Sequence, residues 1–373
     1  STGKLMKISI GSKIIDGPFG GGNEFLKNLI NFLNKKGHTV INHLNDADID
    51  IILLTNPLIS SETSSFNSYD IEFYLKFYNS QAVVFQRFNE CDERKGTQNI
   101  NYKLNKFNQV VDINLFVSNW LKNIFNGFEL SKKKSYVVMG GPNKDIFNNK
   151  NQTYWNKKAK LKLVTHHWSD NLRKGYLEYK QLDNFLNSEK YSNLFEFTFI
   201  GNKPKDIKFN NINILQPLEG KNLANELKKH DVYITASENE PSGNHHMEGA
   251  LCGLPILFKD SGSTSEYCKD FGVSYKIDSF LKSLDSIKKD YDNFVLKLDE
   301  YPFDFLSAAN YIDQLFNEAH HKKLEIIEDR NLKSKTNIFI RYLLNKFFRF
   351  IYIKYFSLKK LLGKIKYNIS NVT

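Results

Sequence analysis

Apolar residues in this chain fall into short continuous runs, separated by longer stretches in which they recur at every third or fourth position. The short runs read as strands buried on both faces, and the longer stretches as amphipathic helices. Met6–Ile10 opens as a strand and Asn23–Lys36 follows as a helix; Ile49–Leu54, Ala82–Phe85 and Leu115–Ser118 are further strands. A second series runs through Leu161–Thr165, Phe197–Gly201, Val232–Thr235 and Pro255–Phe258. Strands alternating with helices predict parallel sheets covered on both sides, so the class is α/β, with two Rossmann-like doubly wound domains facing across a cleft. Residues 143–160 are rich in Asn and Lys and poor in apolar residues, which sets the boundary between a first domain at 6–148 and a second at 149–300.

Folds of this kind bind ligands beyond the carboxyl ends of their strands, so the loops there carry the candidate chemistry. After the first strand comes GSKIIDGPFGGGNEFLKNL, with Gly20, Gly21 and Gly22 directly before a helix. Glycines let backbone amides approach an anion, and a helix N-terminus adds partial positive charge. A dinucleotide fingerprint fits poorly, because Phe25 stands where its third glycine belongs and no acid ends the second strand. In LVTHHWSDNLRKGY (163–176), Arg173 and Lys174 suit a diphosphate, although adjacent residues do not share a helix face and only one of them is expected in the cleft. His166-His167 and His245-His246 lack a metal-ligand spacing and read as polar cleft residues.

In ENEPSGNHHMEGALCGLP (238–255), Pro241 disfavours helical geometry at Glu240, and Ser242 to Asn244 supply a helix start. Glu248 then lies about one and a half turns into the helix, roughly 7 Å past its first amides. The two acids either contact different parts of one extended ligand whose phosphates face those amides, or are a helix-end residue and a solvated side chain.

Composition changes the picture mainly at one end. With 41% hydrophobic and 25% charged residues the chain is globular, and at 373 residues it exceeds one ordinary core. Three separated cysteines, Cys91, Cys252 and Cys268, give neither a disulfide framework nor a Cys-x-x-Cys site. No signal peptide and no run of 18 uncharged apolar residues is found, so a cytoplasmic chain is expected. Residues 331–373 hold ten Lys or Arg and no acid, which leaves +1 of the net +11 for everything before them. In a helical projection of this tail, Arg341, Lys346, Arg349, Lys359, Lys360 and Lys364 lie opposite Phe347, Phe350, Ile351, Leu358, Leu361, Leu362 and Ile365. The pattern predicts a basic amphipathic tail (320–373) held at the inner face of a membrane by anionic headgroups, or a helix packed on the body with a solvated basic rim. Nothing points to nucleic acid.

The spacing from Glu240-Pro241-Ser242-Gly243 to Glu248-Gly249-Ala250, followed by Gly253-Leu254-Pro255, resembles the E-x7-E signature of retaining GT-B glycosyltransferases of family 4. The glycine loop, VVMGGPNKDIF (137–147), the Lys174-Gly175 pair and YPFDFLSAANYIDQLF (301–316) are similar to further parts of that family; the last resembles its closing helices, placed at 301–319. The resemblance implies a UDP- or GDP-sugar donor, a glycan or lipid-linked acceptor, and neither metal nor cofactor. It implies Glu248 on the ribose, Glu240 on the transferred sugar, amides near Gly243 and Asn244 on the sugar and diphosphate, and Lys174 on the leaving diphosphate. Gly21 and Gly22 would approach from the first domain, and the base would lie at the Gln216-Pro217-Leu218 turn, by Leu218. The family's usual arginine before the Lys-Gly pair is absent, leaving His166, His167 or Arg173 to replace it. Where the family often has a histidine after the fourth strand, this chain has QRFNECDERKG, so Gln86, Arg87, Asn89, Asp92 and Arg94 are the acceptor-side candidates. An epimerase of the same fold and a non-catalytic nucleotide-sugar-binding scaffold at a membrane are the alternatives.

Overall fold

The computed structural model describes residues 4–15, 21–57, 63–328 and 330–370; for 356–358 and 360–370 it describes the backbone alone. Six strands form the first sheet: β1 (Lys7–Ile10), β2 (Thr39–Ile41), β3 (Ile51–Leu54), β4 (Val83–Phe88), β5 (Ile113–Phe116) and β6 (Lys134–Val137). Their order is β2-β1-β3-β4-β5-β6, and every pairing is parallel. The second sheet holds β7 (Leu161–His167), β8 (Phe195–Gly201), β9 (Asn213–Leu215), β10 (Val232–Thr235), β11 (Ile256–Phe258) and β12 (Gly272–Ser274). It runs β12-β11-β10-β7-β8-β9, again all parallel. The molecule therefore has the GT-B architecture of two doubly wound sheets.

Side-chain alternation explains why the inner strands are apolar throughout. In β3, Ile51 and Leu53 enter the core beneath the helix Gly21–Lys35, while Ile52 and Leu54 enter a separate core against the helix Ser68–Phe77. In β10, Val232 and Ile234 pack on one face and Tyr233 on the other. Both faces are covered, so neither set of alternating positions tolerates a charge.

Four strands, β2, β6, β9 and β12, are absent from the sequence-level reading, and they are the four sheet edges. An edge strand is solvated along one side and these are short, so no continuous apolar run marks them. The fourth inner strand of the first sheet begins at Ile113, two residues before its predicted start, and β8 likewise begins at Phe195.

The helix Phe305–His321 follows the second sheet but packs on the first. Its Ala308, Ala309, Ile312, Leu315 and Phe316 share one core with Met6, Ile8, Leu29 and Phe85. Each sheet has a switch point where strand order reverses, between β1 and β3 in the first and between β7 and β10 in the second. Crevices form at these positions beyond the carboxyl ends of the strands.

Candidate functional site

Both crevices open into one cavity of about 640 Å³ between the sheets, a size typical of small-molecule sites. Gly21, Gly22, Arg87, Asn89 and Glu90 line it from the first domain; His166, His167, Lys174, Glu240, Gly243, Asn244 and Glu248 line it from the second. Two helices begin at its wall, Gly21–Lys35 and Asn244–Leu251. They come close: a Cβ at Gly21 would stand 2.8 Å from the Asn244 Nδ2. Two helix N-termini thus meet across the cleft, each with backbone amides left without intrahelical partners and a partial positive charge. An anion is the natural occupant of the space between them.

Beside these amides lies an ion cluster. Lys174 Nζ and Arg94 Nη2 each stand 3.0 Å from Glu240 Oε2. Glu240 is held in an extended turn by Ser263, whose N–H and hydroxyl both donate to its carbonyl at 2.8 Å. Gly262, at φ +67°, permits this approach, because a Cβ there would lie 2.3 Å from the Glu240 nitrogen. Burial pushes the Glu240 carboxyl up, but Lys174 and Arg94 outweigh it and leave the group below its ordinary range. Burial lowers the Lys174 ammonium from its ordinary value, with Glu240 opposing that shift. Lys174 reaches this point because Gly175, at φ +95°, turns the chain against Ala236, directly after β10, where a side chain has no room.

Glu248 is oriented by a second chain of contacts. Its Oε2 lies 2.6 Å from His166 Nε2, and His166 Nδ1 lies 3.1 Å from the Tyr233 hydroxyl. With Nε2–H donating to the carboxylate, Nδ1 accepts from Tyr233, whose oxygen in turn accepts from the His166 backbone N–H at 3.1 Å. One Glu248 oxygen is fixed by this chain. His166 carries this role, while His167 is turned toward the Tyr179 hydroxyl at 2.9 Å.

The two histidine pairs converge more than their separation in sequence suggests. His245 sits between the others, 4.8 Å from His167 and 5.0 Å from His246 between ring centroids, and bonds the Thr235 hydroxyl at 2.8 Å. His246 is fully buried and neither ring nitrogen has a hydrogen-bond partner, so burial pushes it down to about 4. Among the described residues no group of three or more His, Cys, Asp or Glu is arranged to hold a metal ion.

Several candidates fall elsewhere. Arg173 does not line the cavity; its guanidinium lies against Gly96 of the first domain. Leu218 packs on the second domain's core, and its neighbours Glu219 and Gly220 line the cavity instead. Gln86 is fully buried beneath the sheet, accepting from Asn108 at 2.8 Å, because strand alternation turns it away from the neighbouring Arg87. Asp92 caps a loop, accepting from the Ile100 and Asn101 amides at 2.8 and 2.9 Å. Arg94 crosses to the Glu240 carboxylate of the second domain, so the first domain supplies the guanidinium that stands beside Glu240 and Lys174. Arg87 and Asn89 do face the cavity, with the Arg87 guanidinium 4.4 Å over the Phe25 ring and lowered to about 10 by burial. Gly20 lies outside the described residues. Glu90, not singled out from sequence, also lines the cavity; one carboxylate oxygen is buried without a partner, and burial raises its carboxyl.

No protein-family model matches the chain, and no curated protein does. Solved structures do share its fold. A sucrose-phosphate synthase from Thermosynechococcus elongatus superposes with a TM-score of 0.60 at 11% identity, over 85% of this chain and 99% of that one. A glycosyltransferase from Rickettsia africae gives 0.58 at 16% identity, over 87% and 99%. HepE of Anabaena, solved with UDP-glucose, gives 0.58 at 11% identity, over 84% and 100%.

Proposed function

We propose that this protein is a retaining glycosyltransferase of the hexosyl type, moving a sugar from a UDP- or GDP-sugar to a glycan or lipid-linked acceptor. The observation that carries this reading is the meeting of two helix N-termini across the cleft, with Lys174 beside them and Glu240 and Glu248 on either side. The diphosphate would lie between the amides of Gly21–Gly22 and Gly243–Asn244. Glu248, steadied by His166, would take the ribose hydroxyls, and Glu240 the hydroxyls of the sugar. HepE solved with UDP-glucose makes uridine donors the first to try.

Departure of a nucleoside diphosphate builds negative charge on phosphate and positive character on the anomeric carbon. Donors already fixed in place lower that barrier without reorganising. Lys174 and the two helix ends supply the charge, so no metal or cofactor has a step in this scheme. The leaving phosphate would take the acceptor's proton on the face it departs from, and configuration would be retained. Asn89, Arg87 and Glu90 would border the acceptor.

Release of nucleoside diphosphate from the donor, with water or a glycan as acceptor, tests the reading. Lys174→Ala and Glu240→Gln are each expected to slow it by about 10²–10³-fold, and the first-formed sugar anomer, followed by NMR, should match the donor. Unchanged turnover in Glu240→Gln would contradict a catalytic Glu240 and favour a nucleotide-sugar-binding scaffold. An inverted anomer would contradict retention.

A further inference from the structure

Among the described residues, no side chain of the helix Lys335–Ser370 lines the cavity. It docks on Ser68–Phe77 of the first domain through a stripe spaced at three and four residues: Ile338, Arg341, Tyr342, Asn345 and Arg349. Tyr342 stacks on Phe73 with 4.0 Å between ring centroids, and Asn345 and Asn67 bond side chain to side chain at 2.8 Å. Arg341 pairs with Glu72 at 2.9 Å, Lys346 with Asp70 at 3.0 Å, and Arg349 with Asp70 at 3.4 Å and with the Ser64 and Ser65 carbonyls. The cations that the sequence projection gives to headgroups or to solvent are, in these three cases, spent on the body. The face turned outward is the apolar one: Phe339, Leu343, Phe347, Phe348, Phe350 and Ile351 are each 46–61% exposed. Leu358, Lys360, Leu361, Leu362, Lys364 and Ile365 have no described side chains.

A contiguous exposed face of this kind marks an interaction surface. Lys335, Lys354 and Lys359 are exposed along the same helix, and no acid occurs anywhere in 331–373. We propose that this face is a lipid-binding surface that seats the first domain on an anionic bilayer, with the helix lying in the interface. Charge decides against a second copy of the chain: of the ten cations in 331–373 three are paired with the body, so pairing two such segments would set seven cations against seven, whereas anionic headgroups attract them. No helix of the described residues is long and apolar enough to cross a membrane, and cations recur along this one, so it lies along the surface.

The contacts also give a direction. Tyr342 meets Phe73, Asn345 meets Asn67, and Arg349 meets Ser64 and Ser65, so the helix runs toward the connection after β3. That connection leaves the carboxyl edge of the first sheet, the edge that also presents Gly21 and Asn89 to the cavity. From Ile353 to Ser370 the helical backbone continues for a further ~27 Å at about 1.5 Å per residue. The lipid surface does not depend on what the cleft does. Combined with the transfer reading, on which this last step rests, it brings a lipid-anchored acceptor to the first-domain side of the cavity.

Co-sedimentation of the full chain with vesicles tests the surface, using phosphatidylglycerol mixed with phosphatidylcholine against phosphatidylcholine alone. Binding to the anionic vesicles is expected to be stronger by on the order of tenfold or more. The double variant Phe347→Glu/Ile351→Glu changes only exposed positions; it should lose at least about tenfold of that binding with an unchanged unfolding temperature and unchanged nucleotide-sugar binding. Equal binding by wild type and variant overturns the proposal, as does absence of wild-type binding to either vesicle. A wild-type dimer that the variant converts to a monomer, without vesicle binding, assigns the face to a second copy instead.

Discussion

Glu240 is neutralised by one cation from each domain, and this makes Arg94 a structural link as well as a neighbour of the cavity. Arg94 also donates to the Glu238 carbonyl at 2.8 Å. Arg94→Ala leaves Glu240 paired with Lys174 alone and takes a charged donor from the Glu238 carbonyl, so it should cost about 1–3 kcal/mol, read by denaturant unfolding. Buried histidines weaken the fold toward acid, and carboxyls raised by burial, such as Glu90, work against them. His246 shifts from 6.5 to about 4 on folding because of burial, so in that window the unfolded chain binds a proton that the folded chain does not. Stability therefore falls as pH drops through that window, by roughly 3 kcal/mol at its lower end. His167 and His245, lowered well below their ordinary value by burial, act in the same direction. The unfolding temperature should decline steadily from pH 7 to pH 4.5, and His246→Phe should flatten part of that decline; a flat wild-type profile would contradict it. At this scale the sequence is informative where charge sits beside a helix start at a strand end, as for Glu240, Glu248 and Lys174. It names His166 and His167 without separating them, because strand alternation places the two on opposite faces but does not say which face the helix carrying Glu248 covers.

Among the elements, the inner strands are legible because both faces are buried, and the four edge strands are not, because solvation breaks up their apolar runs. The glycine loop is legible too, but the helix begins at Gly21 rather than Asn23, so Gly21 and Gly22 belong to its first turn. Gly175 is the element-level hinge of the site. Its φ of +95°, and the mere 2.3 Å that would separate a Cβ there from the Ala236 side chain, both exclude a larger residue. Gly175→Ala should destabilise by about 2–4 kcal/mol and displace Lys174, so donor turnover should fall more than the loss of folded protein explains. The tail shows the opposite error: periodicity identifies an amphipathic helix but not which side docks. Asp70 and Glu72, more than 260 residues away in sequence, decide that, and no local pattern in the tail contains them.

At the scale of the whole molecule, two doubly wound sheets set their switch points against each other, and the closing helix Phe305–His321 ties the second domain's chain back into the first domain's core. The fold is shared with glycosyltransferases at only 10–16% identity, so the account rests on the cavity's own geometry. A thermal-shift panel of UDP, GDP, ADP and CDP and their sugars, on the wild type and on Glu248→Gln, tests the central claim most directly. At a hundredfold excess over its dissociation constant a ligand adds about 2.7 kcal/mol. The account predicts that at least one nucleoside diphosphate sugar raises the unfolding temperature by several degrees and that Glu248→Gln removes most of the rise. No shift with any of these compounds, or an undiminished shift in Glu248→Gln, would contradict a donor site between the two helix ends.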